Sequence, residues 1–112
     1  MKLLPWTMLA ALALHGGAAN ADEALAKARN CTACHTVDKK LYGPTYREIA
    51  KKYAARKDAE TQIAAAIIKG TPMPSGLGWQ KAGSATLPFM PPSTGVKPEE
   101  AARLAKWILA TK

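Results

Sequence analysis

Two cysteines three positions apart, followed at once by a histidine, restrict this chain more than any other feature: Cys31-Thr32-Ala33-Cys34-His35. On a helical turn, side chains three apart lie on one face. Both thiols can then reach the two vinyl groups of a single porphyrin. The next residue, His35, is carried beneath the iron, where its imidazole can bind as the proximal ligand. C-x-x-C-H is the spacing of covalent c-type haem attachment.

Three other uses of the cysteines fit less well. Structural zinc takes four Cys or His ligands, usually in two pairs. The chain has two cysteines and two histidines, and His15 lies in a segment expected to be removed. A redox dithiol of the thioredoxin kind needs a β-rich strand ahead of the motif. What precedes it, Asp22 to Asn30, is rich in helix formers and has no β-branched residue. A disulfide between cysteines this close closes a very small loop and contributes little.

The N-terminus has the three-part layout of a secretory signal. Lys2 gives a basic start, Leu3 to Leu14 is mostly apolar, and small residues lead to Ala19-Asn20-Ala21. As a helix the apolar run spans about 18 Å, short of a bilayer core of about 30 Å. No stable membrane span is expected. Residues 1–21 are thus read as a cleaved signal peptide and 22–112 as one domain. Removing the first 21 of 112 residues leaves 91. So short a chain buries a limited share of its surface and often needs a staple. Its mature part has one phenylalanine, Phe89, and two tryptophans, Trp79 and Trp107. A covalently held macrocycle would fill the centre that these side chains fill poorly.

Periodicity predicts about four helices and no strand of useful length. The first covers Glu23 to Asn30, with Ala24, Leu25 and Ala28 on one face. The second covers Thr45 to Ala54, with Tyr46, Ile49, Ala50 and Tyr53 at i, i+3, i+4, i+7. The third runs from Ala59 to Lys69, with Asp58 as N-cap and Gly70 just past its end. The fourth begins at Pro98, has Glu99 and Glu100 in its positive first turn, and ends at Lys112. Ala101, Leu104, Ala105 and Ile108 line its inner face, widened by Trp107. Between the third and fourth, Thr71 to Lys97 carries Pro72, Pro74, Pro88, Pro91 and Pro92 with four glycines, which exclude a helix there. A stretch of this length in a small domain is usually functional or disordered.

That stretch holds the methionine candidates for a sixth iron ligand. Met1, Met8 and His15 leave with the leader, so Met73 and Met90 remain. Both are flanked by prolines, which restrict the backbone on either side and reduce the entropy lost in holding a sulphur against iron. Flanking alone does not choose between them. Either could equally be flexible core filler, and lysine ligation or an open site completes the possibilities.

Taken together, the chain resembles the small soluble bacterial class I c-type cytochromes with one haem. The resemblance covers nearly all of 22–112. It rests on Cys31 to His35, on Leu41-Tyr-Gly-Pro-Thr-Tyr46, on Met90-Pro-Pro92, and on Leu104-Ala-Lys-Trp-Ile-Leu109. It implies an all-α single-domain fold in which about four helices surround one covalent haem c. Cys31 and Cys34 are its attachment points, and His35 and Met90 its iron ligands. The first and last helices should cross with Leu25 and Ala28 against Leu104, Trp107 and Ile108, small Ala28 allowing close approach. By position, the Pro44 carbonyl should accept from His35 Nδ1–H, fixing the ring; a plain turn at Gly43-Pro44 is the alternative. Trp79 should bond a haem propionate through its indole N–H or act as an apolar lid, and Lys69 is a second propionate candidate.

The formal charge is +8, and loss of Lys2 with the leader lowers it by one, to +7. Lys39, Lys40, Arg47, Lys51, Lys52, Arg56 and Lys57 cluster after the motif. Export excludes nucleic acid as their partner. They form a solvated face, or a patch that steers docking to acidic redox partners with a rate that falls as salt rises. The expected function is a periplasmic carrier of single electrons and no enzyme. The alternative is a haem-bearing acceptor subunit of a periplasmic oxidoreductase. A catalytic or gas-sensing haem ranks last, because the mature chain has no distal histidine.

Overall fold

The computed structural model describes residues 17–74 and 76–112, with side chains from residue 21 onward. Lys2 and the apolar run Leu3 to Leu14 of the expected leader lie outside the described residues. Among the described residues five α-helices follow one another: α1 Gly17–Ala28, α2 Tyr46–Tyr53, α3 Ala59–Lys69, α4 Leu77–Lys81 and α5 Pro98–Leu109. Among the described residues there is no strand, only a single antiparallel bridge between Thr71 and Met90. None of the described helices is long and apolar enough to cross a membrane.

The last helix, α5, is the axis of the core and packs against α1, α2 and α3. Its inner stripe is as the periodicity predicts: Ala101, Leu104, Ala105 and Ile108 are all buried. Ile63 and Ile67 of α3 and Tyr46 of α2 close on that stripe. Pro98 opens the helix, and the Glu100 carboxylate accepts from Lys97 N–H at 3.0 Å. It stops at Leu109 rather than Lys112, so Lys106 is the basic residue of its last turn.

The α1–α5 crossing differs in phase from expectation. Ala28 is exposed, and the small residue in the contact is Ala26, only 1 % exposed. The inward row is buried Ala26 with half-buried Asp22, Leu25 and Arg29, at i, i+3, i+4, i+7 from Asp22, so the helix is rotated relative to the predicted face. Its polar members explain the rotation. The Asp22 carboxylate accepts from Arg103 at 2.9 Å, and Arg29 donates twice to Glu100, at 2.9 and 3.1 Å.

Local chemistry sets the other ends. Thr45 caps α2, its hydroxyl accepting from Glu48 N–H at 3.1 Å. The expected Asp58 cap of α3 is not made; that carboxylate accepts from the Gln62 amide instead, at 3.1 Å. α3 ends at Gly70, whose φ of 75° and ψ of 180° favour glycine. The proline-rich stretch does contain a helix, α4. It fits because Leu77 to Lys81 contains no proline, and because Gly78 stands in open space.

Candidate functional site

The histidine of the C-x-x-C-H motif is held from three directions. Asn30, in the left-handed region at φ 62°, turns the chain out of α1 into a short 3-10 turn, Cys31–Ala33. His35 N–H then bonds the Cys31 carbonyl at 2.9 Å. The chain loops away and returns, Gly43 N–H donating to the Cys34 carbonyl at 3.0 Å and Tyr46 N–H to the Thr36 carbonyl at 2.8 Å. This return brings the Pro44 carbonyl 2.6 Å from His35 Nδ1. A carbonyl only accepts, so Nδ1 carries the proton and Nε2 keeps its lone pair. Burial pushes the His35 pKa down, against an upward pull from the Pro44 bond. Burial favours the neutral imidazole that a metal requires, while the Pro44 bond fixes the tautomer that leaves Nε2 free.

The loop sequence answers to that ring. A Cβ on Gly43 would lie 2.5 Å from His35 Cε1 and 2.9 Å from Nδ1. Glycine is therefore required before Pro44 by close approach, and not only by a turn.

His35 opens onto a cleft with about 970 Å³ of empty space, its mouth included. Cys31, Cys34, His35, Tyr46, Trp79 and Met90 all line it. Apolar side chains from α1, α2, α3 and α5 complete the walls, among them Ala26, Ile49, Ile63 and Leu104. The cysteines are free and half-buried, and burial is the chief cause that raises the Cys31 pKa. Two thiols, an imidazole with its outer nitrogen occupied, a thioether and apolar walls are a donor set that fits a covalently attached haem.

The two methionines separate. Met90 is half-buried and lines the cleft, whereas Met73 is 61 % exposed and lines only an adjoining groove, on the other side of the strap, with Lys69, Pro72 and Met90 itself. Lys69, a propionate candidate by sequence, thus lies off the main cleft. Met90 is held by reciprocal backbone bonds with Thr71, at 2.9 and 3.1 Å, and its N–H also reaches the Thr71 hydroxyl at 3.1 Å. Two glycines admit this strap. A Cβ on Gly70 would lie 2.5 Å from the Met90 carbonyl oxygen, and one on Gly76 would lie 2.9 Å from Phe89 Cα. Their role is invisible in sequence, since each touches a segment more than ten residues away.

Trp79 sits on α4 at the cleft wall, with the Lys52 ammonium 4.1 Å from its ring centroid. Tyr46, which periodicity assigns only to the core, does more. Its ring stacks on His35 at 5.7 Å and 28°, and meets Trp107 edge-on at 4.9 Å and 66°. Its hydroxyl is buried without a hydrogen-bond partner among the described residues, a state that costs about 1–3 kcal/mol. Burial, followed by charge on Cys31 and Cys34, pushes its pKa well above the usual phenol value.

A family model described as Cytochrome c matches residues 20–112. Cytochrome c-552 of Nitrosomonas europaea is 42 % identical over 106 residues, 95 % of this chain and 93 % of that protein. Cytochrome c2 of Rhodocyclus tenuis is 44 % identical over 94 residues, 82 % of this chain and 95 % of that protein. Among solved structures, wild-type Nitrosomonas europaea cytochrome c552 superposes with a TM-score of 0.67 at 39 % identity, covering 80 % of this chain and 99 % of that one.

Proposed function

This chain belongs to the cytochrome c family, and we propose that it is a periplasmic carrier whose iron is held between His35 and Met90. Membership brings one covalent haem c with its iron, and electron transfer between redox partners in place of catalysis. In our reading Cys31 and Cys34 are the thioether positions. Pro44 orients His35 through the Nδ1–H bond, which also raises the basicity of the ring. Trp79 closes one edge of the cleft. The haem, when bound, supplies a ferric–ferrous couple, and His/Met ligation favours a raised potential.

The observation that carries the ligand assignment is that His35 and Met90 line one cleft, while Met73 lies outside it. Export is supported by the leader pattern. It also agrees with the family match beginning at residue 20, and with a solved relative whose chain is 99 % covered by 80 % of this one. For the partner we propose an acidic docking surface. All seven cations from Lys39 to Lys57 are exposed, and Arg47 and Lys51 stand one turn apart on α2. Such fields steer short-lived encounters.

The test is the visible spectrum of the reduced holoprotein before and after carbon monoxide, for the wild type, Met90→Leu and Met73→Leu. The wild type and Met73→Leu should be unchanged, and Met90→Leu should shift to a carbonyl form. A wild type that shifts at once has an open sixth position, which would overturn the proposed ligation.

A further inference from the structure

The ligand reading assigns no task to Tyr46, yet this side chain is only 3 % exposed and touches the cleft, His35 and Trp107 together. The Pro44 carbonyl secures one atom of the imidazole, Nδ1. A ring held at one atom can still swing about that bond. The Tyr46 ring, stacked 28° from parallel, lies across the swing, and the edge contact of Trp107 backs it. Tyr46 is itself tied to the motif, its N–H bonding the carbonyl of Thr36, the residue after His35. The Tyr46 hydroxyl is buried without a protein partner among the described residues, and a buried donor is ordinarily paired.

We propose that Tyr46 is a positioning residue for electron transfer: its ring fixes the plane of the His35 imidazole, and its hydroxyl donates to an acceptor atom of the attached haem group. The proposal rests on His35 being an iron ligand. A fixed imidazole plane leaves less to rearrange when the iron changes charge, and a donor beside the haem favours the electron-richer ferrous state.

The experiment uses the haem-loaded exported protein and two readouts, the ferric electron paramagnetic resonance spectrum and the reduction potential. Tyr46→Phe keeps the ring and should leave the g values unchanged while lowering the potential, so that the ferrous share at a fixed poise falls several-fold. Tyr46→Leu removes the ring and should also shift the g values, because the imidazole plane is released. Where Tyr46→Leu does not take up haem, Trp107→Leu removes the backing contact and should shift the g values in the same sense. Unchanged g values in the ring variants overturn the orienting role, and a wild-type potential in Tyr46→Phe overturns the hydrogen bond. Histidine labelled with ¹⁵N reports on ligation separately, since His35 is the sole histidine after residue 15. Absence of ¹⁵N coupling to the iron in the wild type would overturn the ligand reading, and the proposal with it.

Discussion

Gly70→Ala should damage both the stability of this protein and the proposed ligation by Met90. Gly70 has φ 75° and ψ 180°, a region essentially reserved for glycine, so alanine there costs about 1–3 kcal/mol in backbone strain. The new Cβ would also stand 2.5 Å from the Met90 carbonyl oxygen, 2.8 Å from Pro92 N and 2.9 Å from the Pro91 carbonyl carbon. All three are backbone atoms, so no side-chain rotation relieves the clash and the strap itself has to move. Overpacking of this kind costs about 1–3 kcal/mol more. The total, about 2–6 kcal/mol, is a large part of the 5–15 kcal/mol or so that holds an ordinary domain together. A shift in the strap carries Met90 away from the cleft. Denaturant unfolding of the ferric holoprotein should therefore show a lowered midpoint, and the reduced protein should become sensitive to carbon monoxide. Gly78→Ala is the control: a Cβ there meets nothing within 4 Å, and the site is helical, so its stability should change by less than about 1 kcal/mol. A Gly70→Ala protein that unfolds at the wild-type midpoint and stays inert to carbon monoxide would refute the account of the strap.

Three further outcomes can be checked. The hydrogen bonds from Arg29 hold the Glu100 carboxyl below the usual carboxylate range. The stabilisation is then complete above the unfolded-state value and is lost as pH falls through the depressed folded-state value. Glu100→Gln should accordingly flatten the acid limb of a denaturation-midpoint titration and leave its neutral plateau lower; an unchanged limb would remove the pair from the account. Leu104→Ala, at a site 1 % exposed on the α5 stripe, should cost about 2–5 kcal/mol, read by thermal or denaturant melting. Lys51→Glu should slow reduction by an acidic protein partner at low ionic strength, and the difference from wild type should vanish as salt screens it. A rate ratio independent of salt would assign these cations to a merely solvated face.

The short range along the chain explains what could be read without coordinates. Cysteine spacing is a local covalent constraint, so Cys31, Cys34 and His35 declare their chemistry in five residues. The stripes of α2, α3 and α5 follow from periodicity, because each helix needs only one apolar side. The Pro44 contact came only from the resemblance, by position, and its carbonyl does stand 2.6 Å from His35 Nδ1, nine residues away in sequence.

What tertiary structure alone decided depends on segments remote in sequence. α1 turns Ala26 to the core in place of Ala28 because its polar row answers to Arg103 and Glu100 on α5. The resemblance alone implied Met90 over Met73; the bridge that ties Met90 to Thr71 at the cleft wall is a tertiary contact at which the flanking prolines do not hint. Gly70 looks like a helix stop and Gly76 like an ordinary loop glycine until the strap is laid over them, and Tyr46 looks like ordinary core until its ring meets His35. Spacing and periodicity are properties of a few adjacent residues, whereas a close approach between distant backbones is a property of packing and exists only once the chain has folded.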